Sequence, residues 1–183
     1  MDRHITTFPA PQTGKISLVV APRAVVGSLM TILATLALRG QVTVIDSGNC
    51  FDAYTLARAL RAHTHQIDAA LKRVLLSRAF TCYQVLAMLA ELPMDDTPVI
   101  VLDLLSTFLD ESVNLNKRLR LLDSSLNLLR RISQDAPVAI WARTRTSAVT
   151  SEDQRLLLPL LEIAHDIWEL QAPETPIHQL PLF

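Results

Sequence analysis

Residues 19–40 read "VVAPRAVVGSLMTILATLALRG". The apolar start suits the end of a buried strand, and Ala21 begins a tight connection. A long apolar helix follows from near Val25 and stops at Gly40, a good helix breaker. An α/β protein that binds nucleotides keeps its phosphate loop at such a junction, where glycines let backbone amides approach the phosphates. This junction has one glycine, Gly27, and no lysine. The stretch therefore predicts the architecture and puts the phosphate chemistry in question.

Working outward, the same alternation recurs. "KISLVVA", "QVTVID", "RVLLSRAF", "TPVIVLDLL" and "APVAIWA" read as five strands, most of them apolar enough to be covered on both faces. "HDIWELQ" fits an edge strand. Between them lie helical segments: "AYTLARALRAH" with Asp52 as its N-cap, "TCYQVLAMLAEL" ending before Pro93, and "SEDQRLLLPLLEIA", where Pro159 predicts a break. Leu115, Leu119, Leu122, Leu126 and Leu129 recur at helical spacing and mark an amphipathic helix lying on the sheet. The fold class expected is α/β, a mainly parallel sheet with helices on both faces. Residues 1–14, with Pro9, Pro11 and Gly14, read as an extended arm; 15–171 form one core domain; 172–183 are a proline-broken tail. In such a sheet ligands bind beyond the carboxyl ends of the strands, after Ala21, Asp46, Phe80, Asp103 and Ala142.

Composition narrows the function classes. The 183 residues are half hydrophobic and only 5% aromatic, with formal net charge −1 and a pI near 6.5, so no global basic field draws the chain to nucleic acid. Cys50 and Cys82 lie far apart without a CxxC, as ordinary buried thiols in a reducing compartment would. The start carries no secretory signal. The longest uncharged run, Ala24 to Leu38, falls short of the roughly 18–20 residues of a membrane span, so a cytoplasmic protein with no membrane partner is expected. His63 and His65 are two apart, which diverges on a helix, so no metal site and no cofactor are expected. Ser124 and Ser125 read as helix surface or packing residues, and no nucleophilic triad can be assembled.

Taken in order, the turns resemble the core of the RecA/RadA recombinase family. "VTVIDSGNCFDAYTLARAL" is similar to that family's "xIDTEGxFxPxRL", and "LLSRAFTCYQ" to its "xxARAxxxxHQ". "TPVIVLDLLSTFL" resembles the apolar strand ending in aspartate that opens its magnesium-binding motif. "APVAIWARTR" sits where the family has a strand running to "TNQ". The resemblance covers Lys15 to Gln171 and implies a RecA-like P-loop NTPase fold.

The departures bear on function. Laid on the family's GxxxxGK[ST] loop, Ala21 takes the first glycine, Val26 the second and Gly27 the lysine. Ser28 alone survives, at the position that would hold magnesium. The family's catalytic glutamate falls on Gly48, and its γ-phosphate-sensing glutamine becomes Arg143 or a neighbour. Asp103 stands as a weak nucleotide-site candidate with Ser28; the other reading is a carboxylate capping a strand-to-helix turn. With lysine and glutamate both missing, the resemblance implies a degenerate ATPase site and no enzyme activity, because positioned charge is nearly all of phosphoryl-transfer catalysis.

Basic residues gather at Lys117, Arg118 and Arg120, and at Arg143 and Arg145 in "ARTRTS". In the family the loops nearby hold DNA. Lys117, Arg118, Arg143 and Arg145 are therefore weak DNA-contact candidates, with Thr144 and Thr146 as hydrogen-bonding neighbours. The family also assembles head to tail through an arm that inserts a phenylalanine, and "HITTFPAPQ" offers Phe8 for homo-oligomer contact. The final residues, Gln179, Leu180, Pro181, Leu182 and Phe183, are similar to the peptide QL[SD]LF by which bacterial polymerases and repair proteins dock on the β sliding clamp.

Together these imply a non-enzymatic RecA-like accessory in bacterial DNA repair, recombination or damage-tolerant synthesis, recruited to the clamp and meeting other repair or polymerase proteins there. Two alternatives stay open. One is an ATP-binding RecA-like ATPase with an atypical phosphate loop. The other is a protein-binding regulator like the cell-division inhibitor SulA.

Overall fold

Each of the first five strands is followed by a helix that carries the chain back to the sheet's starting end, and that alternation gives parallel pairing. The computed structural model describes residues 10–143 and 150–169. The strands are β1 (Ile16–Ala21), β2 (Val42–Asp46), β3 (Val74–Arg78), β4 (Val99–Leu102), β5 (Val138–Arg143) and β6 (Asp166–Glu169). They form a six-stranded, all-parallel sheet in the order β3-β2-β4-β5-β1-β6. The helices are α1 (Val26–Arg39), α2 (Ala53–Arg61), α3 (Ile67–Leu71), α4 (Cys82–Glu91), α5 (Leu115–Asp135) and α6 (Ser151–Ile163).

Strand alternation divides the core in two. Ile16, Leu18 and Val20 of β1 point to one face with Ile45, Val99, Val101 and Ile140, against α4, α5 and α6. Val19 and Ala21 point to the other with Val44, Ile100 and Trp141, against α1, α2 and α3. The first two crossovers run toward the β3 edge over one face, and the later three return over the opposite face. All five thus share one hand. Turns after β2 and β4, adjacent in the sheet, leave toward opposite faces, and so do those after β5 and β1. These are the places where a parallel sheet opens a crevice.

Local signals explain most element ends. Asp52 caps α2 by accepting from the amides of Tyr54 and Thr55, both at 3.0 Å. α1 stops before Gly40, and Arg73 donates to the freed carbonyls of Ala37 and Leu38 at 3.1 Å. Three expectations are corrected. Pro159 does not break α6, which runs unbroken from Ser151 to Ile163. An interior proline costs about 3 kcal/mol. Burial of Leu156, Leu160 and Ile163, at about 1.5–3 kcal/mol each, outweighs it, and a capping box between Thr150 and Asp153 secures the first turn. The fourth strand ends at Leu102, because Asp103 adopts left-handed φ +52° and turns Leu104–Thr107 into a 3-10 turn packed in the core. β3 is not covered on both faces: Leu75 to Arg78 are exposed. No helix among the described residues is long and apolar enough to cross a membrane.

Candidate functional site

The carboxyl ends of β2, β4, β5 and β1 bring together residues far apart in sequence. At the end of β2, buried Asp46 organises its own turn. It accepts from the amide of Cys50 at 3.0 Å and from that of Phe51 at 3.0 Å, and the Cys50 thiol donates to it at 3.4 Å. Arg78 at the end of β3 lies 3.6 Å from the same carboxylate. Ser47 to Cys50 therefore form a folded-back loop in which the Ser47 amide donates to the Leu102 carbonyl at 2.9 Å and the Cys50 amide to Asp46, while the buried Ser47 hydroxyl has no partner among the described residues. Burial, and then the Asp46 charge, push the Cys50 thiol well above its ordinary value, so it stays protonated and unreactive. Burial also raises the Cys82 thiol.

At the end of β4, Asp103 is 2% exposed and points along the sheet toward β5. The guanidinium of Arg143 donates a short charge-assisted bond to Oδ2, and the Arg143 amide donates to Oδ1 at 3.3 Å. Burial pushes the Asp103 carboxyl up from its ordinary value, while the Arg143 charge opposes the shift. Gly48 sits directly against this carboxylate: a Cβ there would stand 2.5 Å from Asp103 Cβ and Oδ2. Glycine is thus required at the position where the resemblance puts a glutamate.

The β1–α1 junction is equally closed. Arg23–Val25 wind straight into a 3-10 turn that runs on into α1, so no open loop of amides remains between strand and helix. The Trp141 indole on β5 donates to the carbonyl of Ala21 at 3.1 Å, which fixes the end of β1. Ser28 is exposed in the first turn of α1. Gly27 differs from Gly48, since a Cβ there would meet only Thr55 Cγ2, at 4.0 Å. Space for a side chain exists at position 27; the lysine is absent by sequence, not by sterics.

A magnesium ion shared with a phosphate needs carboxylate oxygens with lone pairs to spare. Both Asp103 oxygens are engaged by Arg143, and the guanidinium charge would repel a divalent cation, so this donor set does not fit the metal. No group of three or more metal-ligating side chains occurs among the described residues.

The basic candidates separate. Arg118 is corrected as a DNA contact: it is 4% exposed and donates to Glu152 Oε2 at 2.7 Å and to the Phe108 carbonyl at 3.2 Å, joining α5 to α6. Lys117 is exposed, with its ammonium 5.0 Å from the centre of the Tyr83 ring. Arg143 serves Asp103. Arg145, Thr144, Thr146, Phe8 and the tail residues Gln179, Leu180, Pro181, Leu182 and Phe183 lie outside the described residues.

Sequence reasoning missed Asp46 as the organiser of the β2 turn, although an aspartate followed by a short polar turn is a usable signal. It also missed the Asp103–Arg143 pair and the Trp141 bond, for which no local signal exists. Scanned against protein-family models the chain matches none, and a search of the curated proteins finds no match either.

Proposed function

We propose that this chain is a non-enzymatic, RecA-like accessory protein of bacterial DNA repair, recombination or damage-tolerant synthesis, brought to the β sliding clamp by its last residues. The observation that carries the non-enzymatic half is the engagement of both Asp103 oxygens by Arg143. Phosphoryl transfer depends on charge placed around the phosphates, and the two aspartates that end β2 and β4, Asp46 and Asp103, are both already engaged by neighbouring groups. The Gly48 contact and the wound-up β1–α1 junction support the same reading.

Recruitment rests on the tail sequence. Leu180, Leu182 and Phe183 would fill an apolar pocket, Gln179 would orient the peptide through its amide, and Pro181 would keep it extended, lowering the ordering cost of binding. Any DNA contact falls to Arg145 and the outer part of Arg143, and is weak and salt-sensitive.

Two experiments test the halves separately. Calorimetry with magnesium-ATP should give no heat of binding; saturable binding abolished by Asp103→Ala would sink the degenerate-site reading. The full chain titrated against purified clamp should bind, and a version ending at His178 should not. Equal binding by both, or none by either, removes the clamp.

A further inference from the structure

β3 is the more exposed of the sheet's two edge strands, β3 and β6. β1, β2 and β4 are buried throughout and β5 nearly so, whereas β3 is exposed from Leu75 to Arg78. It ends one side of the sheet and pairs with β2 alone, as β6 ends the other side and pairs with β1. The Arg73 carbonyl accepts from the Val42 amide, and the Ala79 amide donates to the Asp46 carbonyl. Bonded residues alternate along a parallel strand, so Arg73, Leu75, Ser77 and Ala79 address β2. Val74, Leu76 and Arg78 turn their amides and carbonyls outward. Leu75 and Leu76 point to opposite faces of the sheet, and they are 46% and 37% exposed. The edge is therefore bare along its rim and on both faces.

Natural sheets guard such edges with proline, a bulge or a charge within the strand. The "VLLS" segment has none of these, and its charges stand at its ends. Lys72 and Arg73 precede the strand, Arg78 closes it, and no acidic residue occurs between Asp68 and Glu91. Arg73 donates to neutral carbonyls, whereas Arg78 already lies 3.6 Å from the buried Asp46 carboxylate and, 44% exposed, would share its guanidinium with an incoming one. This positive stretch lies in a chain of formal net charge −1.

We propose that the β3 edge docks an extended acidic segment of another protein, which adds one further strand through Val74, Leu76 and Arg78. Its apolar side chains would cover Leu75 and Leu76, and carboxylates at its ends would meet Lys72, Arg73 and Arg78. The chain's own termini lack this chemistry: residues 1–9 carry one aspartate and one arginine, and residues 170–183 carry Glu174 as their only charge apart from His178. A second copy is unsuited too. Antiparallel pairing of β3 with itself about Leu76 sets Arg78 opposite Val74 and makes the other copy's Lys72 its diagonal neighbour on the same face, like charge near like. The proposal is independent of tail docking on the clamp.

The probe is a fluorescent peptide of alternating valine and threonine with glutamates at both ends, compared with the same peptide carrying lysines there. The full chain should bind the acidic peptide and weaken about tenfold or more toward it in high salt, while ignoring the basic one. Leu76→Pro removes an outward amide without breaking the bonds to β2, and should abolish binding while circular dichroism stays unchanged. Should that variant unfold, Lys72→Glu replaces it: this exposed residue can be reversed in charge without touching the core, and it should weaken the acidic peptide about tenfold. Equal binding of the two peptides, binding undiminished in the substituted chain, no binding of either, or self-association through β3 would each overturn the proposal.

Discussion

Two aspartates end adjacent strands of this sheet, and they solve the same problem in different ways. Asp46, after β2, satisfies its carboxylate mainly with amides four and five residues ahead, and Arg78 of β3 adds an ion pair at 3.6 Å. Asp103, after β4, reaches across to Arg143 on β5 and is pressed from the side by Gly48 of the Asp46 turn. The first is mainly local and the second depends on the assembled sheet. Buried carboxylates hold a turn either mainly by folding it around themselves or by tying it to a neighbour. Here the contact of Gly48 with Asp103 fills the opening between the β2 and β4 turns.

The largest expected effect breaks the contact between the two turns. Gly48→Glu forces side-chain atoms into Asp103, and should destabilise by about 3 kcal/mol or more, well beyond an ordinary surface change. Denaturant unfolding measures it; a cost near zero would mean the two turns are not in contact. Asp46→Ala should come next, at about 2–3 kcal/mol, because the buried amides of Cys50 and Phe51 lose their acceptor. Cys50, otherwise protected, should then react with a thiol reagent.

Arg143→Ala leaves Asp103 buried and unpaired. The expected cost at neutral pH is about 2 kcal/mol, below the 3–5 kcal/mol or so of a fully buried pair, because the guanidinium is about a third exposed. The pH dependence has a definite sign. Burial raises the folded carboxyl of Asp103, so the folded state holds a proton between the ordinary carboxyl value and the raised one, and stability falls as pH rises through that window. Loss of Arg143 raises the folded value further. The penalty of Arg143→Ala should therefore shrink on acidification, and a penalty constant with pH would show that Asp103 and Arg143 are not coupled.

The smallest effect is at the α2 cap. Hydrogen bonds from Thr55 hold the Asp52 carboxyl below its ordinary value. Its contribution is present above the unfolded value and lost as pH falls through the folded one. Asp52→Ala should lower the melting temperature slightly at neutral pH, and the gap should close in acid.

The same contrast between local and assembled contacts explains what could be read from the chain. The Asp52 cap, the Gly40 stop and the leucine spacing of α5 are encoded within a turn or two of sequence, and a parallel sheet follows from strand-helix alternation. The break expected at Pro159 was wrong because tertiary burial outweighs one lost hydrogen bond. Asp103 was legible as a strand-end carboxylate, but not as the partner of a residue 40 positions on. Arg118 looked like an exposed cation on a polar helix face, and only the docking of α6 turns it inward to Glu152. The bare β3 edge was illegible for a related reason: its leucines look like core residues until strand order places them outermost.

Phosphate release with magnesium-ATP, with and without single-stranded DNA, tests the account of the closed carboxyl end most directly. Release no faster than a buffer blank is expected in either condition. A DNA-stimulated rate that disappears in Asp103→Ala would contradict it.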